Sequence, residues 1–202
     1  MTTGFGSVES SQPFVPAVIC ADSINPGGTL DCFAAKTKRD VYFDDPHVNF
    51  VDITDSHQAV LFSANLNYSG SGATWLWSLL VLDSHGMWDN MFPEITSSNQ
   101  SEHLFWRSAT SSPYGYGIFT VADFIWAEGE THFATHRYEI RSYEYCPSTS
   151  KYVLADQFTT RGKFPGLDDV ESVNVIRPEL PEIKQHLRKK SPATCSSVGV
   201  GH

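Results

Sequence analysis

The sequence predicts a mostly β fold: an antiparallel β-sandwich or a distorted two-repeat, propeller-like arrangement, with one short C-terminal helix. Three observations lead there. An aromatic strand–turn–strand pattern occurs twice. One copy is Trp77–Leu82, a polar turn at Asp83-Ser84-His85-Gly86, then Met87–Phe92; the other is Tyr138–Tyr145, a turn at Cys146–Ser150, then Lys151–Phe158. Runs of branched and aromatic residues are broken by turn residues about every ten positions. Charged side chains make up only 18% of the chain, against 41% hydrophobic and 13% aromatic, a composition that packs a core and suits a solvated helical protein poorly. A similar opening precedes each copy, Val51-Asp52-Ile53 and Val121-Ala122-Asp123-Phe124. The offset of about 65–70 residues has the scale of a multi-stranded unit, not of a solenoid repeat.

Residues 1–16 hold Gly, Ser and Pro with little periodicity and read as a flexible N-terminal arm. Residues 17–190 read as a single β-rich domain, and 191–202 as a C-terminal tail. Ala17–Cys20 is a short apolar piece, followed by a Pro-Gly-Gly turn and then Val41-Tyr42-Phe43. Strand signals dominate from residue 47: Val48 to Ile53, Ala59-Val60-Leu61-Phe62 running towards Tyr68, and Thr74 to Leu82, in which Trp75 and Trp77 share a face. Tyr68-Ser69-Gly70-Ser71-Gly72-Ala73 cannot fill a core and reads as a loop or hairpin tip. Residues 93–115 are polar except at Leu104-Phe105-Trp106, with Ser97–Gln100 read as a turn. Gly117–Trp126 reads as a strand, Glu128-Gly129-Glu130 as a tight turn, Thr131–Tyr145 as a long strand or strand pair, and Lys151–Thr160 as the closing strand. Near the end, Leu180, Ile183 and Leu187 fall on one helical face. Glu179 and Glu182 precede Arg188, Lys189 and Lys190, an order that complements a helix dipole.

The formal charge of -9, from 14 basic and 23 acidic side chains, disfavours nucleic acid and anionic lipid as partners and is compatible with a basic protein partner. No apolar run approaches the roughly 20 residues of a membrane-spanning helix, so no membrane span is expected and the chain reads as a soluble, acidic protein. The first residues lack a basic start and an apolar middle. Periplasmic or secreted localisation is the expectation if an export signal has been trimmed, and cytoplasmic localisation otherwise. Four cysteines are too few for a disulfide framework. Eleven residues separate Cys20 from Cys32 across Asn25-Pro26-Gly27-Gly28, which suits a local bridge in an oxidising compartment or two buried thiols in a reducing one. Cys146 falls at a turn and Cys195 in a small-residue tail.

No residue is marked as catalytic. His132 and His136 lie four apart; on a strand that is about 13 Å, too far for both to hold one ion at about 2 Å. Asp52 and Asp55 resemble the aspartates of propeller calcium loops, but two carboxylates without a glycine cannot supply the six to eight oxygens calcium takes, and Asp123 leads into Phe124-Ile125-Trp126. Asp168-Asp169-Val170-Glu171 reads as an acidic surface loop. No nucleophile elbow, phosphate loop or dinucleotide fingerprint occurs, and neither a metal nor a cofactor is expected. Asn67-Tyr68-Ser69 and Asn99-Gln100-Ser101 match the glycosylation sequon.

The segment from Tyr68 to Trp77 resembles the Ser-Gly loop of bacterial lysozyme inhibitors, with Ser71-Gly72-Ala73-Thr74-Trp75 carrying tryptophan where those proteins carry tyrosine. A degenerate aspartate strand, a Ser-Gly tip and an aromatic hairpin together are similar to a related group of β-rich immunity proteins that neutralise peptidoglycan-cleaving effectors. The resemblance implies a non-enzymatic binding protein that inhibits a hydrolase, in particular a basic cell-wall hydrolase, through Ser69, Gly70, Ser71, Gly72 and Trp75. A second charged loop used by such inhibitors has no counterpart here. Two other readings stand beside it: a carbohydrate-binding module stacking sugars on Trp75, Trp77 or Trp126, and a hydrolase on a β scaffold, for which paired carboxylates would be the sign.

Overall fold

The computed structural model describes residues 16–21, 30–67, 73–107, 115–131, 134–165 and 174–189. They form eleven strands and one helix: β1 (Val18–Ala21), β2 (Asp31–Ala34), β3 (Asp44–Asp52), β4 (Gln58–Asn67), β5 (Ala73–Leu82), β6 (Trp88–Asn90), β7 (Ile95–Ser98), β8 (Glu102–Trp106), β9 (Ile118–Ile125), β10 (Arg137–Cys146), β11 (Lys151–Thr159) and α1 (Ile176–Lys189). The predicted class is observed: the structure is mostly β, all its ladders are antiparallel, and its one helix follows the strands.

Two meanders form the body. One sheet has the order β3-β4-β5-β6, with β7 also on β5; the other has the order β11-β10-β9-β8. They pack face to face over an aromatic core that includes Leu61, Trp77, Leu79, Phe92, Phe119, Val121, Tyr143 and Tyr152. The outer face of the first sheet, with Val60, Phe62, Leu76 and Leu80, is covered by the β1–β2 pair through Ile19, Phe33 and Ala35. The outer face of the second, with Ile118, Tyr138 and Ile140, is covered by α1 through Ile176, Ile183 and Leu187. Four layers result. Having both faces covered explains why β4, β5 and β9 contain runs without polar alternation: each side of these strands meets a core.

The turns follow their residues. Between β5 and β6, Asp83 Oδ1 accepts from the backbone N–H groups of His85 and Met87, and Gly86 sits at φ +79°, where an L side chain would be strained. Between β9 and β10, Gly129 takes φ +79° and the Glu130 N–H donates to the Ala127 carbonyl, which matches the predicted tight turn. Cys20 and Cys32 face each other in the β1–β2 ladder and are joined by a disulfide. Cys146 is also disulfide-bonded; Cys195 lies outside the described residues.

Four expectations are corrected. The long strand expected from Thr131 begins only at Arg137, because His136 is held in an isolated bridge to Phe164. The turn expected at Ser97–Gln100 starts later, since Ile95–Ser98 is a strand whose register on β5 runs from Thr74↔Ser98 to Trp77↔Ile95. Asp31–Ala34 is a strand that the sequence pattern did not mark. Finally, the two copies correspond as β3-β4-β5-β6 and β8-β9-β10-β11, so Val121–Asp123 lies on β9 and matches β4, not the end of β3 that carries Val51–Ile53.

Candidate functional site

The β4–β5 hairpin is paired without interruption from Val60↔Leu80 to Asn67↔Ala73. Ser69, Gly70, Ser71 and Gly72, in the link between these strands, lie outside the described residues. Trp75, two residues into β5, is half-buried. Its ring stacks on Trp77, with centroids 5.9 Å apart and planes 28° apart, and meets the His47 ring at 5.1 Å with planes 61° apart.

Beside Trp75, the two sheets part into a cleft of about 270 Å³. Trp77 and Ser63 are buried and form its floor. His47 and Asn49 on β3, and His103 on β8, stand exposed at its rim, with Ser101 half-buried near Asn99. The His103 ring lies 4.1 Å from Trp77. The residue is exposed on one side, but packing of the ring against Trp77 removes it from water and pushes its pKa down, to about 4, which leaves the imidazole neutral at neutral pH. A larger hollow of about 580 Å³, beside Phe50, Leu80, Leu82 and Trp88, is walled chiefly by apolar side chains.

The structure separates the tryptophans proposed as a sugar platform. Trp77 is only 4% exposed and donates its Nε1–H to Ser97 Oγ at 3.0 Å, so it is a core residue and not a stacking surface. Trp126 is 49% exposed, at the far end of β9. Trp75 alone borders the cleft with part of its ring open.

The described candidate carboxylates and His136 are paired with neighbouring side chains or backbone. Asp52 accepts from Gln58 Nε2 at 2.8 Å, and Asp55 pairs with Arg107 at 2.7 Å. Asp123 accepts from the Ser98 N–H and hydroxyl, fastening β9 to β7. Arg141 reinforces that junction by donating to the Thr96 carbonyl at 2.7 Å. His136 is fully buried; its Nδ1–H donates to Glu130 at 2.9 Å. Lys163 and then His136 hold the Glu130 carboxyl down to about 2. His132 and Asp168–Glu171 lie outside the described residues, and no group of three metal-ligating side chains occurs among the described residues.

One acidic pair escaped the sequence reading. Ser142 is paired with Asp156 and Tyr143 with Leu154, so Ala155 is an extra residue in β11. This bulge switches the side-chain alternation: Tyr152 faces the inter-sheet core while Asp156 and Phe158 face α1. Asp156, 3% exposed, lies 3.1 Å from His186 Nδ1 of the helix. Burial, and secondarily Asp156, push the Glu144 carboxyl up to about 7.

The cleft was also missed, because its residues come from separate strands. The alternation His47-x-Asn49, which places both on one face of a strand, was the available signal. Comparisons of the chain with protein-family models, with curated proteins and with solved structures found no match.

Proposed function

We propose that the protein is a non-enzymatic binding protein that neutralises a hydrolase and recognises it with the β4–β5 end of the sandwich. The observation that carries this reading is the ladder that stays paired up to Asn67↔Ala73. It gives the Ser-Gly link two fixed ends on a rigid body, with the part-open Trp75 beside them. A short link of small residues can enter a concave cleft at little steric cost, and its hydroxyls can bond a carboxyl group in either protonation state.

Binding rather than catalysis fits the side chains. Asp52, Asp55, Asp123 and Glu130 are each engaged in ties between elements, and Asp156 is sealed beneath α1. The charge of -9 favours encounter with a basic enzyme.

The test measures the activity of a basic muramidase on cell-wall suspension with increasing amounts of this protein. Stoichiometric inhibition is expected, and the double substitution Ser71→Trp/Gly72→Trp should weaken it at least tenfold, or about 1.4 kcal/mol. Absence of inhibition, or inhibition unchanged in the double variant, overturns the reading.

A further inference from the structure

We propose that the cleft between β3, β5 and β8 is a binding site for a neutral saccharide, with Trp75 as its stacking face. The inference shares Trp75 with the hydrolase reading but does not use residues 68–72.

The composition of the walls points to this ligand. A pyranose ring has an apolar C–H face and a girdle of hydroxyls. It is held by an aromatic plane together with groups that both donate and accept hydrogen bonds. Trp75 supplies the plane, kept in orientation by its stacking on Trp77 and its tilted contact with His47. Asn49 and the imidazoles of His47 and His103 supply polar groups around it, while the Ser101 hydroxyl in the wall is held by Ser97 Oγ and the Ser98 carbonyl. An amide such as that of Asn49 and a neutral imidazole such as that of His103 each combine donor and acceptor character, which matches a sugar hydroxyl.

Charge narrows the class. No carboxylate, lysine or arginine is among the cleft's lining residues, and His103 is neutral at neutral pH. An anionic sugar would find no counter-charge there and would meet a protein of net charge -9. The volume of about 270 Å³ lies below the range of roughly 300–1,000 Å³ common for drug-sized ligands. It suits one sugar ring in the cleft with the rest of a chain running out past the exposed rim at His47 and Asn49.

The closing experiment titrates the intact protein with chitotriose, cellotriose and, as an anionic probe, trigalacturonate, following heat and tryptophan emission at pH 7. Saturable binding of at least one neutral trimer is expected. Trp75→Ala should weaken it about tenfold, the loss of one stacking contact, while Trp126→Ala, outside the cleft, should leave it unchanged. Asn49→Ala, at an exposed position, should weaken binding without altering the thermal midpoint, so the result does not depend on how well the Trp75 variant folds. No saturable binding of either neutral trimer, equal affinity for the anionic one, or binding untouched by both cleft variants overturns the proposal. Muramidase inhibition is read separately in the same Trp126→Ala and Asn49→Ala proteins, so failure of the saccharide site and failure of the hydrolase reading remain distinguishable.

Discussion

The two sheets have the same strand order but are closed on their outer faces by different chemistry. The first is covered by the β1–β2 pair, whose strands are tied by Cys20–Cys32 over a cluster of apolar side chains. The second is covered by α1 and includes a polar patch: Thr120 bonds Ser142, Trp106 Nε1 donates to Thr120, and Asp156 faces His186. Even the helix start is held by a distant strand, for Glu102 on β8 accepts from the N–H groups of Val175 and Ile176, the position where a carboxylate complements the helix dipole. Both covers meet their sheets through apolar contact; one is stapled within itself by a disulfide, the other adds polar contacts to the sheet beneath it. Covers of similar position in the fold therefore answer to different conditions.

The largest effect is expected from the helix. Ile183 is fully buried against the second sheet, and Ile183→Asp should cost about 3–5 kcal/mol through lost packing and an unpaired buried charge. Denaturant unfolding measures it; a loss below about 1 kcal/mol would mean that the sheet does not need its cover. The clamp on the other side comes next. Because Cys146 is also disulfide-bonded, Cys20→Ser/Cys32→Ser is the cleaner test than a reductant. It should cost about 3 kcal/mol, by the same amount at pH 5 and pH 8. A cost that changes with pH would erase the contrast between the covers.

The smallest effect is the one that depends on pH. Glu144 lies near Asp156 on β11, which in turn meets His186 of α1. Its pKa rises from 4.5 to about 7 on folding, so the unfolded chain gives up this proton before the native protein does. The associated stability is complete below about 4.5 and is lost as pH rises through about 7. Thermal midpoints of the wild type and Glu144→Gln, compared from pH 5 to pH 8, should diverge in that window, with the variant gaining on the wild type as pH rises. Parallel curves would show that Glu144 is not held protonated.

Much of this architecture was legible in the residues. Ala59–Phe62, Thr74–Leu82, Gly117–Trp126 and Lys151–Thr160 announce strands because their apolar content matches the cores they enter, and Leu180, Ile183 and Leu187 announce the helix face. What escaped was set by partners distant in sequence. Ser97–Gln100 looks like a turn, yet its first two residues end a strand, Ile95–Ser98, that pairs with β5 and is fastened by Asp123. Of the predicted site residues, Trp75 is half-buried and borders a cleft, whereas Trp77, two positions on and on the same face, is sealed by Ser97, His103 and Phe119. Periodicity assigns a face; it does not say how far along that face the opposite sheet extends.

The position of α1 after every strand has a bearing on biosynthesis. As the chain leaves the ribosome, Ile118, Tyr138 and Ile140 emerge well before Ile176, Ile183 and Leu187, their eventual cover. A nascent intermediate therefore displays an uncovered greasy surface, the kind that chaperones capture and that nucleates aggregation. Yield in the cell should depend on how quickly translation reaches those closing turns.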